Sequence, residues 1–182
     1  MGPITIRDET ARDRDAIRAL HRAAFADEPA VVTIVDDLNE SGDAVISLLA
    51  EHETSIVGHV LFSRLAAPMR ALVLSPLGVH PDFQRAGIGS RLVRNGLERA
   101  RQDQWQAVFV LGSPAYYGRF GFNSAAAEGY TSPYYGWPFM ALIFDDSVPR
   151  DCRIDFPDAF AEDIKHYPAL LDSLKRPEED RR

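Results

Sequence analysis

A glycine-rich segment at residues 84–90, with the sequence QRAGIGS, combines residue types that can bind an anion. It lies between an apolar, strand-like run and a stretch in which apolar residues recur at helical spacing. The first N–H groups of a helix have no intrahelical partner, so they attract a negatively charged group. Gly87 and Gly89 would let that group approach the backbone, and Arg85 adds a permanent positive charge. The segment therefore indicates an anion site, the alternative being that its glycines only form a tight turn.

Two common phosphate-binding loops do not match this segment. A Walker loop requires a glycine–lysine pair, and none occurs anywhere in the chain. A dinucleotide-binding fingerprint requires a third glycine three residues after Gly89, and that position is Leu92. The segment is therefore assigned neither to nucleotide hydrolysis nor to hydride transfer.

The elements that position this segment follow from hydrophobic periodicity. Apolar residues at helical spacing predict a first helix around Ile17 and Leu20 and a second around Val35 and Leu38. The helix after the glycines should cover residues 87–101, and a short helix should cover 114–120. Strands are predicted at residues 4–7, 45–51, 56–65, 71–79, 106–111 and 139–144. The second and third should form an antiparallel hairpin, and the fourth and fifth, joined by a helix, a parallel pair.

Composition limits the class of protein. A chain of 182 residues with 46% hydrophobic and 26% charged residues can form one globular domain with a core. Its net charge of −7 argues against a nucleic-acid partner. The single cysteine, Cys152, excludes an internal disulfide, and no signal-peptide or membrane-spanning run is visible. We therefore expect a cytoplasmic protein that does not bind membranes, and no metal, since metal-ligand spacings are missing.

Two motifs give the chain a recognisable family resemblance. Residues 79–90, VHPDFQRAGIGS, resemble the acetyl-CoA-binding motif of the GNAT N-acetyltransferases, Arg/Gln-x-x-Gly-x-Gly/Ala. Residues 117–122, YGRFGF, are similar to the Tyr-x-x-x-Gly-Phe signature that comes late in the same fold. The order and separation of the two motifs also agree with this family, and the resemblance covers roughly residues 4–144. Within the family, the chain most resembles a bacterial branch of acetyltransferases without an assigned substrate.

The resemblance implies an α/β (α+β) fold with a mixed, mostly antiparallel sheet and helices on both faces. In this fold a bulged strand splays from its neighbour and leaves a wedge for the coenzyme, and Pro76 and Gly78 are suitable bulge makers. We expect an N-acetyltransferase domain at residues 1–145. A C-terminal extension at 146–174 should pack on it, followed by a disordered tail at 175–182.

Acetyl-CoA is the cosubstrate that the resemblance implies. The exposed main chain of the bulged strand would pair with the pantetheine arm, and the helix start would bind the pyrophosphate. Ser113 would replace an asparagine that many family members carry shortly before the tyrosine. The implied coenzyme-binding residues are Leu77, Gly78, Val79, Gln84, Arg85, Ala86, Gly87, Ile88, Gly89, Ser90 and Ser113.

Transfer of an acetyl group to an amine requires a proton donor and a proton acceptor. By resemblance Tyr117 is the general acid that protonates the departing thiolate, with the adjacent Tyr116 as the alternative. The base that deprotonates the amine is left open among Glu28, His59 and Glu51. Each of these three also has a structural interpretation, as a core histidine or a solvated acid.

The remaining histidines and aromatic residues carry weaker indications. His21, His52 and His166 show no cluster of partners along the sequence. An aromatic group before the last strand could hold an apolar substrate, or form a packed flap or a dimer contact; its members are Tyr130, Tyr134, Tyr135, Trp137 and Phe139.

The resemblance predicts direct attack by a primary amine of a small molecule or peptide in a ternary complex. A homodimer is an expectation at the level of the family. The alternative function is a coenzyme A-binding sensor or partner-binding module that does not catalyse, because a fold does not guarantee an activity.

Overall fold

The structure is a computed structural model that describes residues 2–26, 28, 30–136 and 138–175, with side chains as far as residue 168. It contains a six-stranded sheet whose spatial order follows the sequence, β1-β2-β3-β4-β5-β6. The strands are β1 (Ile4–Asp8), β2 (Ala44–His52), β3 (Ser55–Leu65), β4 (Ala71–Val79), β5 (Ala107–Leu111) and β6 (Phe139–Ile143). The helices are α1 (Arg14–Ala24), α2 (Ala30–Ser41), α3 (Ile88–Gln102), α4 (Pro114–Tyr117) and α5 (Ala161–Lys175).

The sheet is mixed and mostly antiparallel, as predicted. Only β4 and β5 run parallel, with α3 connecting them, and the other neighbouring strands pair antiparallel. The hairpin of β2 and β3 and the strand–helix–strand unit are therefore confirmed.

Alternation along the strands separates two hydrophobic cores, one on each face of the sheet. In β5, Phe109 packs on the face covered by α1 and α2, whereas Val108 and Val110 pack on the face covered by α3. The apolar stripe of α3, predicted from its helical spacing, forms most of the second core through residues such as Leu92 and Leu97. Helices thus cover both faces.

The segment after β6 joins the first core. Short bridges pair Ala66 with Asp155 and Thr131 with Arg153, and they hold this segment against the domain. Ile154, Phe160 and Tyr167 are buried in the same cluster as residues of α1 and α2. This packing brings the start of α5 to the side of the sheet that carries α2. Of the tail predicted at 175–182, only Lys175 lies within the described residues.

Candidate active site

Strand β4 separates from β5 halfway along its length. Their pairing ends at Leu74 and Val110, so the rest of β4 has no partner on that side. On its other side β4 contains a bulge, because the register with β3 shifts between the Leu74 and Leu77 pairs, which places Ser75 and Pro76 at the irregularity. The predicted splayed strand with Pro76 in its bulge is therefore present. Gly78 is outside the bulge, since it pairs in register with His59.

The glycine segment turns the chain from this strand into α3. Gly87 caps the helix with a φ of 80°, in the left-handed region that glycine adopts without strain. A Cβ at Gly87 would have no atom within 4 Å, so open space lies in front of the helix start. The backbone amides of residues 85–90 donate to no acceptor within the described part of the chain. A row of free donors at the start of a helix is an anion site.

A first cavity of about 370 Å³ lies in front of these amides. Its floor is the free part of β4, and its walls add Phe83 and two residues that follow β5, Tyr116 and Arg119. Arg119 lies over the Tyr116 ring at 4.1 Å from its centroid and donates to the Tyr116 carbonyl oxygen at 2.9 Å. Arg119 is a second cation beside Arg85, and it was not predicted from the sequence. The predicted coenzyme residues that line this cavity are Leu77, Val79, Gln84, Arg85, Gly87, Ile88, Gly89 and Ser90.

Three predicted coenzyme-binding residues do not line the first cavity. Gly78 is buried against α1, where a Cβ would be 2.9 Å from Nδ1 of His21. Ala86 is exposed within the turn, where its amide belongs to the row of free donors. Ser113 caps α4 with its backbone, since its carbonyl oxygen accepts from the amides of Tyr116 and Tyr117 at 2.9 Å each.

Tyr117 is the last residue of α4, and its ring lies against the backbone of Gly112, which follows β5. A Cβ at Gly112 would be 2.5 Å from the Tyr117 ring, so only glycine allows this contact. Burial, with the neighbouring Tyr116 phenol, raises the pKa of Tyr117 well above the ordinary value for tyrosine. Its hydroxyl group has no hydrogen-bond partner among the described residues. Tyr117 is therefore a protonated phenol with a hydrogen free to donate.

Tyr117 faces a second cavity of about 240 Å³ on the other side of the splayed strand. Leu77, which follows the bulge of β4, lines both cavities, so they adjoin at this side chain. The second cavity is bounded by the end of α1, by α2 and by the segment leading into α5, with the carboxylates of Glu28 and Asp163 in its lining. Asp163 accepts a hydrogen bond from the hydroxyl of Tyr134. Sequence reasoning did not find Asp163, because α5 follows all the motifs.

The aromatic group before β6 divides between packing and the second cavity. Tyr134 lines the cavity, whereas Tyr130 and Phe139 are buried in the core. Tyr135 is 51% exposed, and Trp137 lies outside the described residues.

The three predicted base candidates lie in different surroundings. Glu28 is exposed at the second cavity. Glu51 forms an ion pair of 2.6 Å with Arg7 and is not among the lining residues of that cavity. His59 is fully buried, with Nε2 at 2.8 Å from the hydroxyl oxygen of Ser47. Only Glu28 shares the cavity of Tyr117.

The expectation that His21 lacks a cluster of partners is wrong. His21 Nε2 lies 2.7 Å from His59 Nδ1, and both rings are 0% exposed. His59 continues the chain of contacts to Ser47, whose hydroxyl donates to Glu9. Because these residues come from α1, β3, β2 and the end of β1, no local sequence pattern reveals the cluster.

Within the described residues, no group of three or more His, Cys, Asp or Glu side chains could hold a metal ion. No described helix has the length and the apolar character needed to cross a membrane.

Comparisons with known proteins agree with this geometry. Residues 12–122 match the family model described as acetyltransferase (GNAT) family. The uncharacterized N-acetyltransferase YjhQ of Escherichia coli is 39% identical over 132 residues, which cover 67% of this chain and 71% of YjhQ. The uncharacterized N-acetyltransferase YhbS of the same bacterium is 34% identical over 125 residues, covering 66% of this chain and 74% of YhbS.

Two solved structures share the whole architecture. Escherichia coli YhbS in complex with CoA superposes with a TM-score of 0.81 at 28% identity, covering 88% of this chain and 93% of YhbS. A GNAT family acetyltransferase from Brucella melitensis in complex with acetyl-CoA gives a TM-score of 0.76 at 29% identity, covering 88% of this chain and 99% of the other. On the family match, the relatives and the fold together, this chain belongs to the acetyltransferase (GNAT) family and is an acyltransferase.

Proposed function

We propose that this protein transfers the acetyl group of acetyl-CoA to a primary amine by direct attack in a ternary complex. The observation that carries the proposal is that two cavities share Leu77 in their walls, on the strand that splays from β5. The first cavity has a row of free amides at a helix start, and the second holds a protonated tyrosine. Donor and acceptor could therefore approach the same point of β4 from two sides.

The first cavity fits coenzyme A in charge and in shape. The amides of residues 85–90 and the guanidinium groups of Arg85 and Arg119 match a pyrophosphate, and the space in front of Gly87 admits it close to the backbone. The main chain of residues 75–79 has no strand partner on the side of β5 and suits the amide-bearing pantetheine arm, with the Val79 carbonyl oxygen accepting from Gln84 Nε2 at 3.1 Å. When bound, the coenzyme supplies an activated acetyl thioester. Two similar solved proteins contain CoA or acetyl-CoA, which supports the same cosubstrate here.

The chemistry of the chain's own residues then concerns two protons. Tyr117 keeps its phenolic proton because burial raises its pKa, and its free hydroxyl can donate that proton to the departing sulfur. An alkylamine arrives protonated, since its pKa is about 10. Of the three candidate bases, we propose Glu28 as the acceptor of that proton, because its carboxylate lies at the cavity that Tyr117 lines.

Replacing Tyr117 by phenylalanine tests the proposal. We expect turnover, followed as thiol release from acetyl-CoA over a panel of amines, to fall by about 100-fold or more, a typical loss for a general acid. Coenzyme affinity, measured by calorimetry, should change by less than about threefold, because Tyr117 does not line the first cavity. The matched control is Tyr116→Phe, which removes the neighbouring hydroxyl group.

The control decides between the two tyrosines and between the two functions. Loss of turnover in Tyr116→Phe with activity retained in Tyr117→Phe would show that the acid is assigned to the wrong residue. A protein that binds CoA tightly and turns over no amine would instead be a coenzyme sensor or partner-binding module.

A further inference from the structure

The second cavity combines apolar walls with a negative charge. Helical residues Val31 and Ile34 form one side, Phe156 and Phe160 from the C-terminal segment form another, and Phe25 lies at the end of α1. Walls of this kind stabilise apolar ligand atoms by removing them from water. They offer few partners to a ligand that carries many hydroxyl groups, whose buried polar atoms would lose hydrogen bonds to water.

The charged groups among the described lining residues are both carboxylates, Glu28 and Asp163, with no lysine, arginine or histidine. Asp163 is fixed by the hydrogen bond from Tyr134, which is buried. Glu28 has no side-chain hydrogen bond or ion pair within the described part of the chain. One carboxylate held in place and one without a partner favour an ammonium group near them.

The size of the cavity limits the ligand further. Its volume of about 240 Å³ is below the ~300–1,000 Å³ that is usual for sites of drug-sized ligands. A polyamine or an aminosugar would bring further ammonium or hydroxyl groups against apolar walls, where those groups lose hydrogen bonds to water.

We propose that the acceptor is a small primary monoamine carried on an apolar body, of the arylalkylamine or alkylamine class. This inference rests on the proposed acetyl transfer, since it assigns the acceptor of the same site. The apolar body would lie between α2 and the C-terminal phenylalanines. The ammonium group would give one proton to a carboxylate of the same cavity. Tyr117 and Leu77 line that cavity, so the nitrogen would lie close to the side chain that the two cavities share.

Three amines separate this class from the others. Thiol release from saturating acetyl-CoA is measured with 2-phenylethylamine, with ethanolamine as a polar primary amine, and with spermidine as a polycation. We expect kcat/KM for 2-phenylethylamine to exceed that for ethanolamine by on the order of 50-fold. Binding removes the apolar surface of the phenyl group from water, and this surface equals that of several methylene groups. Spermidine should be no better than ethanolamine.

A matched pair of variants on α2 ties the preference to this cavity. Val31→Lys places a cation in the wall and should lower kcat/KM for 2-phenylethylamine by at least about tenfold, through repulsion of the ammonium group. Thr33→Lys adds the same charge on the same helix, at an exposed position outside the cavity. It should leave kcat/KM for 2-phenylethylamine unchanged. Coenzyme affinity should be equal in both variants and the unmodified protein.

The outcomes distinguish this inference from the proposed function. Faster acetylation of ethanolamine or spermidine than of 2-phenylethylamine overturns the acceptor class and leaves acetyl transfer standing. Absence of turnover with every amine refutes the proposed function instead. In that case, calorimetry with the CoA-loaded protein decides the ligand class: binding of 2-phenylethylamine that Val31→Lys weakens supports it, and no binding overturns it.

Discussion

Acid should destabilise this protein through a pair of buried histidines. His21 and His59 are each 0% exposed, with ring nitrogens 2.7 Å apart. Burial lowers the pKa of His21 to about 4. Burial and the adjacent His21 lower the pKa of His59 well below its ordinary value. In the unfolded chain both rings titrate near the reference value of about 6.5.

The groups that face this pair do not stabilise a positive charge enough to reverse the effect. The hydroxyl of Ser47 donates to Glu9, so it accepts from Nε2 of His59 at 2.8 Å. His59 Nδ1 then accepts from His21 Nε2, which leaves His21 Nδ1 as a buried acceptor without a partner among the described residues. Glu9 lies 3.9 Å from His59 Nε2, and the pKa of His59 is still lowered because desolvation of the ring outweighs that attraction.

The sign of the pH effect follows from proton linkage. Between the folded and unfolded pKa values the unfolded state binds more protons, so stability falls as pH falls. The loss begins near pH 6.5 and is complete for His21 below about pH 4. At pH 5, His21 alone accounts for a loss of about 2 kcal/mol relative to pH 7. His59 acts in the same direction.

Urea unfolding at pH 7 and pH 5 measures this loss. The variant His21→Gln keeps an N–H donor for His59 and removes one titrating ring, so its stability should fall by about 2 kcal/mol less than that of the unmodified protein over this range. The control His166→Gln changes an exposed histidine and should lose as much as the unmodified protein. Equal losses in His21→Gln and the unmodified protein would refute the assignment of acid sensitivity to the pair.

Two further predictions concern the coenzyme site and the packing of α3. Arg119→Ala should weaken CoA binding by about fivefold at low salt and by less at high salt, measured by calorimetry, whereas Arg153→Ala, on the C-terminal segment, should not. Gly96→Ala should lower the free energy of unfolding by about 1–3 kcal/mol, because its Cβ would lie 2.2 Å from the Phe62 ring. In Gly118→Ala the new Cβ meets no atom within 4 Å, so the free energy of unfolding should stay unchanged or rise by about 0.4–1 kcal/mol. Equal effects of the two alanines in urea unfolding would contradict the packing argument.

Eight of the eleven residues predicted from the sequence to bind the coenzyme line the first cavity, because the determinants of this cavity are mostly local. Residues 84–90 form one turn and the start of one helix, so their spacing alone indicates a row of free amides. The strands were predictable for a similar reason, since alternation in β5 sorts Phe109 from its neighbours without reference to the rest of the chain.

The proposed acceptor side could be predicted only in part, because its residues meet through tertiary packing: Glu28 and Tyr134 were candidates from the sequence, whereas Asp163 was not. Glu28 follows α1 and Asp163 lies in α5, so no spacing relates the two carboxylates. The same holds for His21 and His59, which are 38 residues apart on different elements. Gly78 illustrates the limit within a single motif: its place in the sequence suggested the bulge, whereas its missing side chain makes room for His21.

Successive residues of β4 point to opposite faces of the sheet, and this alternation relates the first cavity to the buried histidines. Leu77 and Val79 face the first cavity, and between them Gly78 faces α1, where a side chain would collide with His21 and press on Phe25. Phe25 stacks on His21 and also lines the second cavity, so the buried histidine packs behind one wall of that cavity. Leu77 lines both cavities, whereas Val79 lines only the first and Phe25 only the second. On the proposed function, substitutions of Phe25, Val31 or Asp163, which line only the second cavity, should change the amine that is accepted and leave the affinity for coenzyme unchanged.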